Sequence, residues 1–149
     1  FFFQAEDGIR DVEWSRGLVD VYKRQTVVGV QSGNWEIEKG NTVAAGMMRE
    51  HPDLVALLAG NDSMALGAVA AVKAAGKTGK VQVVGYDNIG AIKPMLADGR
   101  VLATADQYAA KQAVFGIELA QKALAAKTPQ NQLPATVKTD VVLVTKDSK

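Results

Sequence analysis

The stretch Leu57-Leu58-Ala59-Gly60-Asn61-Asp62-Ser63-Met64-Ala65-Leu66-Gly67 decides how the rest of the chain is read. Leu54, Val55, Leu57 and Leu58 make a short apolar run of strand character and Gly60 breaks it. Ala65, Ala68, Val69 and Val72 then recur at the i, i+3, i+4, i+7 spacing of a helix. A strand feeds directly into a helix, with Asn61 and Asp62 at the joint. An Asx residue there has two readings. It caps the helix by accepting from a free backbone N–H, or it reaches a ligand, because open α/β sheets bind ligands beyond the carboxyl ends of their strands.

The alternation continues on both sides. Upstream, Thr26 to Gln31 is a β-branched run that predicts a strand, ending in the turn Ser32-Gly33-Asn34, with Trp35 just beyond. Glu36 to Glu50 predicts a helix with Ile37, Ala44, Met47 and Met48 on its inner face, stopped by His51-Pro52. Downstream of the central helix, whose end is marked by Gly76, Val81 to Gly85 predicts a strand delivering Tyr86, Asp87 and Asn88 at its end. Ile89, Ile92 and Leu96 mark a short helix that must begin near Gly90 to tolerate Pro94, and Asp98-Gly99 closes it. Val101 to Ala105 predicts a strand ending at Asp106, Gln107 and Tyr108. A longer helix follows to about Ala126, its face carrying Ala110, Ala113, Val114, Ile117, Ala120 and Leu124. After a loop from Thr128 to Pro134, Val137 to Thr145 predicts a last strand. Val- and Leu-rich strands alternating with helices imply an α/β fold with a doubly wound, mostly parallel sheet.

Composition removes several function classes. The chain has 17 Lys and Arg against 16 Asp and Glu, without a basic stripe for nucleic acid. Cysteine is absent and His51 is the single histidine, so disulfides, zinc–thiolate sites and Cys nucleophiles are excluded, and a histidine-based site would lack partners. No apolar run approaches membrane-spanning length. No nucleophile–base pair, catalytic residue, metal site or cofactor motif is legible. Gly76-Lys77-Thr78 imitates a phosphate loop, but the first glycine of that motif would fall at Ala71 and the stretch follows a helix, not a strand.

The opening 25 residues differ from the rest. Gln4-Ala5-Glu6-Asp7-Gly8-Ile9-Arg10-Asp11 and Asp20-Val21-Tyr22-Lys23-Arg24-Gln25 resemble translated sequencing-adapter DNA, a flow-cell primer followed by a transposase end. Residues 1–25 are therefore expected to be non-native and disordered, and are left out of fold reasoning.

Four strand ends carry unusual side chains: Trp35, Asn61-Asp62, Tyr86-Asp87, and Gln107 beside Tyr108. Parallel strands point their carboxyl ends at one edge, so these groups should share one crevice. Of the four aromatic residues after Gln25, three (Trp35, Tyr86 and Tyr108) lie at strand ends and only Phe115 does not. Aromatic faces beside amides and carboxylates suit a sugar, whose C–H groups pack on rings while its hydroxyls need acceptors and donors.

Gly60-Asn61-Asp62-Ser63-Met64-Ala65-Leu66-Gly67, Val84-Gly85-Tyr86-Asp87, and Asp98-Gly99 followed by Ala103-Thr104 and Gln107 resemble the ribose-type periplasmic sugar-binding proteins, the solute receptors of ABC importers. The resemblance covers Thr26 to Lys149. It implies that Asn61, Asp87 and Gln107 bond sugar hydroxyls, that Trp35 stacks on the ring, and that Asp62 and Tyr86 stand behind them, Asp62 starting the helix and supporting Asn61. It further implies a truncated type I periplasmic binding protein fold. Residues 26–107 would form an incomplete ligand-binding second lobe, with Gln107 at a hinge crossing. Residues 108–136 would be a helix and loop packing with the first lobe, and 137–149 a returning strand and tail. The expected partners are a monosaccharide such as ribose and ABC permease subunits, with no nucleic acid, no membrane insertion, no cofactor, a monomeric state and a periplasmic location. Sugar-responsive LacI-type repressors share the Asn-Asp-x-Met-Ala-Leu-Gly and Gly-Tyr-Asp elements but usually continue with Pro-Leu-Thr-Thr. This chain has Leu102-Ala103-Thr104-Ala105, which favours the transport receptor over the repressor's effector domain. A sugar-metabolising α/β enzyme is the third reading.

Overall fold

The computed structural model describes residues 26–134 and 136–148. Helix α1 (Ile37–Glu50) leads to strand β1 (Ala56–Leu58), helix α2 (Asp62–Ala74) and strand β2 (Gln82–Tyr86). A 3-10 turn at Gly90–Ile92 continues into α3 (Lys93–Ala97), then strand β3 (Ala103–Asp106), helix α4 (Ala109–Ala125), a second 3-10 turn at Gln130–Gln132, and β4 (Val142–Val144). The sheet order is β1-β2-β3-β4. Leu57 pairs with Val83 and Gly85 with Thr104 in parallel, whereas β4 returns antiparallel, Leu143 opposite Ala105. The mostly parallel α/β sheet expected from the sequence is present. Residues 1–25, with their adapter-like reading, lie outside the described residues.

The core is built where α1 and α2 pack and α2 covers β2. Met47, Leu57, Met64, Ala65, Ala68 and Val83 are wholly buried, and Val69 and Val72 nearly so. Fully burying a residue of Val, Leu or Met size contributes about 1.5 to 3 kcal/mol, so this cluster supplies much of the drive to fold. The helices approach closely because two glycines face the contact. A Cβ on Gly40 would stand 2.9 Å from Met64 Cα, and one on Gly67 would overlap the Ile37 carbonyl oxygen and come within 2.6 Å of Asn41 N. Asn41 Nδ2 donates to the Gly67 carbonyl across the same contact at 3.1 Å. At the end of α2, Gly76 has φ +65°, and Lys77 Nζ donates to the Pro52 carbonyl, so Gly76-Lys77-Thr78 is a helix-end turn and not a phosphate loop. Gly99, with φ +78°, closes α3 as expected.

Three expectations are corrected. Thr26 to Gln31 is not a strand of the sheet: the neighbour of β1 is β2 alone, and Val27, Val28 and Val30 stand 41% to 48% exposed. A β-branched run favours extended backbone, but a strand exists only when another edge pairs with it. Ile37 is half exposed and outside the inner face of α1, where Gly40, Ala44, Met47 and Met48 are buried instead, because the glycine contact draws the helix in at residue 40. The last strand is β4, Val142–Val144, and does not begin at Val137. Helix α4 forms as the periodicity predicts; within this chain none of its residues is buried, and Val114, Ile117 and Leu124 are 50% to 79% exposed. Periodicity identifies an apolar face without saying what covers it.

The two kinds of glycine give opposed predictions. Gly67→Ala sets a methyl group against fixed backbone and should destabilise the chain by about 1 to 3 kcal/mol. Gly46 lies in the interior of α1 with nothing within 4 Å of an added Cβ, so Gly46→Ala should stabilise it by about 0.5 to 1 kcal/mol. Urea denaturation of both variants reads the two signs.

Candidate functional site

Because β1, β2 and β3 run parallel, their carboxyl ends lie along one edge, and each delivers a polar residue there: Asn61 after β1, Asp87 after β2, Gln107 after β3. Asn61 is the N-cap of α2, its Oδ1 accepting from Met64 N at 2.8 Å while Nδ2 donates to the Trp35 carbonyl at 3.3 Å. Cap and candidate ligand contact are thus the same residue. An amide has two acceptor directions and two donor hydrogens, so each end of Asn61 keeps one further bonding direction. Trp35 is brought beside Asn61 by a left-handed turn, Asn34 at φ 48° and Trp35 at φ 62°, and its side chain is 44% exposed.

Asp87 and Gln107, 20 residues apart, meet directly, Gln107 Nε2 donating to Asp87 Oδ1 at 2.7 Å. The structure therefore joins Trp35 to Asn61 and Asp87 to Gln107, and sheet topology sets the two pairs on the same edge. Tyr86 closes β2 opposite Ala105 and is partly buried.

Asp62 is the first residue of α2 and is fully buried. Its carboxylate turns away from Asn61 towards the next two strands. Oδ1 accepts from Thr104 Oγ1 at 2.7 Å and Oδ2 from Ile89 N at 2.9 Å. Gly85 makes room for it, since a Cβ at that position would overlap Asp62 Oδ1. Beyond β2 the backbone takes a left-handed course at two consecutive non-glycine residues, Asp87 (φ 108°) and Asn88 (φ 54°). Strain of this kind persists only where neighbours over-determine it. Here three successive amides are held: Asp87 N by the Ala105 carbonyl at 2.8 Å, Asn88 N by Thr104 Oγ1 at 3.3 Å, and Ile89 N by Asp62. Asp106 ties the turn to the next segment, accepting from Asn88 Nδ2 at 2.9 Å and from Tyr108 N at 2.7 Å.

These environments separate the carboxyl groups. Burial raises the Asp62 carboxyl above its ordinary value, against the opposing hydrogen bonds from Thr104 and Ile89, and the negative charge of Asp87 raises it further. Asp87 is also raised, by burial first, with the Gln107 bond pulling the other way. Asp106 is lowered, chiefly by the Asn88 bond and then by the Tyr108 amide. The edge thus presents Asp87 as a partly buried acceptor bonded to the Gln107 amide, with Asn61 and Trp35 at the end of the neighbouring strand. Among the described residues no group of His, Cys, Asp and Glu is arranged to hold a metal ion, and no helix is long and apolar enough to cross a membrane.

Thr104, Asn88 and Asp106 are the contributors that sequence reasoning left without a role. Thr104 is a wholly buried polar residue hidden among strand formers. The available signal was Gly85, since a glycine inside a strand marks a close approach.

A family model described as a periplasmic binding protein domain matches residues 4–128, starting inside the adapter-like segment. The D-ribose/D-allose-binding protein of Pseudomonas aeruginosa is 71% identical over 119 residues, which is 80% of this chain and 37% of that protein. An ABC transporter solute-binding protein structure from Burkholderia multivorans, carrying an unknown ligand represented as alpha-D-erythrofuranose, is 65% identical with a TM-score of 0.82, covering 88% of this chain and 46% of that one. A periplasmic solute-binding protein from Actinobacillus succinogenes with bound D-allose is 32% identical with a TM-score of 0.83, over 97% of this chain and 52% of that one. The chain thus spans about half the length of these structures or less, and the family model over residues 4–128 shows where it stands: it belongs to the periplasmic binding proteins.

Proposed function

We propose that the chain is the C-terminal part, mainly the second lobe, of the substrate-binding component of a bacterial ABC sugar importer, and that it helps hold a monosaccharide in a cleft between two lobes. The observation that carries this reading is the set of Asn61, Asp87 and Gln107 at the ends of three adjacent parallel strands, with Trp35 against Asn61. Asp87 accepts hydrogen bonds from hydroxyls, the amides of Asn61 and Gln107 donate to hydroxyl oxygens, and the indole covers the C–H face of the ring. The names of the Pseudomonas and Actinobacillus proteins support an aldose of the ribose or allose type. In this reading the site binds and releases without chemistry, the protein works as a monomer in the periplasm, and the closed form is presented to membrane permease subunits. The three proteins compared above are binding or transport proteins, and none is a repressor.

The remaining division of the chain follows from the same reading. The unburied apolar face of α4 and the loop after it, residues 108–136, pack on the first lobe, and the last segment, from residue 137, returns to the sheet through β4, Val142–Val144.

Binding of D-ribose and D-allose to the full-length receptor, measured by calorimetry, tests the site. Asp87→Ala removes charge-assisted bonds from a desolvated cleft and should cost about 3 kcal/mol, roughly a hundredfold in Kd. An unchanged Kd would remove Asp87 from the site. The pH dependence has a definite sign. Because the folded Asp87 carboxyl lies above its ordinary value of 3.8, its acceptor form is lost early on acidification. Affinity should be level at neutral pH and fall as pH drops through that raised value, while Asp87→Asn binds more weakly and without this fall. Residues 26–149 alone, which leave β1 with a free edge and α4 uncovered, should self-associate in light scattering and bind either sugar no better than millimolar.

A further inference from the structure

We propose that Asp62 is a positioning residue for ligand binding: through Thr104 and the Ile89 amide it fixes the left-handed turn that aims the Asp87 carboxylate at the cleft. This rests on the receptor reading above and goes beyond it, because Asp62 need not touch the sugar.

The bonds of the Asp62 side chain run to the turn after β2 and to β3, not to the helix it starts. Capping of α2 is already done by the Asn61 amide, so an acid at the next position is not required for that purpose. A wholly buried carboxylate is destabilising unless its oxygens are satisfied, and both are satisfied by groups far away in sequence, Thr104 at 42 residues and Ile89 at 27. The strand beside it gives up a side chain at Gly85 to admit it. Of the three amides that define the turn, Ile89 N is held by Asp62 itself. Asn88 N is held by the Thr104 hydroxyl, whose proton is engaged by Asp62, leaving the oxygen's lone pair for the amide. Asp87 and Asn88 at φ 108° and 54° have no glycine to make this course easy. Without Asp62 the Ile89 restraint goes and the Thr104 hydroxyl that holds Asn88 N loses the acceptor that orients it, so the backbone relaxes to a commoner conformation and Asp87 leaves its 2.7 Å contact with Gln107.

The test is made in the full-length receptor with D-ribose and D-allose as probes. Asp62→Ala should raise Kd by roughly 10- to 100-fold, as loss of a supporting contact does at other built sites. Thr104→Val, which keeps the shape but not the hydroxyl, should raise it in the same direction, and Thr104→Ser should restore it. The double variant should be no weaker than the worse single one, because both act through one turn. A merely structural role is separated by Val72→Ala, a core variant away from the site that lowers the melting temperature and should leave Kd unchanged. Should Asp62→Ala fail to fold, Thr104→Val and its serine partner decide. Folded variants that keep Kd within about twofold of the parent would overturn the proposal. If Asn61→Ala, Asp87→Ala and Gln107→Ala also keep the parent Kd, the receptor reading falls first. Loss of binding in those three with none in Asp62→Ala or Thr104→Val defeats this inference alone.

Discussion

The Asp62 carboxylate, held between a threonine hydroxyl of β3 and a backbone amide beyond β2, is the interaction on which the edge of this sheet depends. Parallel strands give a common direction, but backbone ladders stop at the last paired residue, here Tyr86 opposite Ala105. Past that point nothing in β-sheet geometry decides where the chain goes. A buried anion with two acceptor oxygens supplies what the ladder no longer can, binding the ends of neighbouring strands into one rim. Its position at the start of α2 suits the charge, since the first turn of a helix favours an acid. The order of the rim is thus tied to the same joint between strand and helix that sets the fold.

That joint is in turn held from behind. Helix α2 keeps its position because α1 packs against it with two glycines at the contact, and Asn41 bonds across to the Gly67 carbonyl. Backbone-to-backbone approach of this kind leaves little freedom to slide, as packed interiors resist even small changes of volume. Trp35 stands just ahead of α1 and its carbonyl accepts from Asn61, so α1 places the aromatic residue and α2 places the amide. The helix pair therefore fixes one half of the rim, and the Asp62 network fixes the other.

Much of this was legible in the sequence, and the parts that were not share a cause. The order of strands and helices from Glu36 onward follows from apolar spacing, with boundaries off by one to three residues in most elements, as at β1, which begins at Ala56 and not at Leu54. The placement of Asn61, Asp87 and Gln107 along one sheet edge follows from parallel topology alone. What failed involves a partner distant in sequence. Thr26 to Gln31 has every local mark of a strand and no neighbour to pair with, and the stretch from Val137 continues the alternation of β4 but pairs only at Val142–Val144. Thr104 was invisible because a β-branched residue in a strand looks ordinary until its hydroxyl is seen to meet a carboxylate 42 residues away.

The path of the chain after β3 gives the exposed face of α4 a meaning. Asp106 accepts from Tyr108 N, Tyr108 takes a left-handed conformation at φ 53°, and α4 departs from the sheet. Gln112 Nε2, one turn into α4, then donates both to the Gln107 carbonyl and to Thr139 Oγ1, at 3.0 Å each. Thr139 lies on the segment that comes back to pair β4 against β3. The outgoing and returning segments are therefore tied together at the residue whose side chain holds Asp87. On the receptor reading, a lobe carried by α4 cannot swing relative to the sheet without working this tie. Closure then acts on Gln107 through its backbone, and a sugar held by Asp87 and Gln107 resists the reverse motion. A ligand shifts a conformational balance only by its difference in affinity for the two states, and on the receptor reading a sugar contact at Gln107, beside this tie, is a direct way to create that difference.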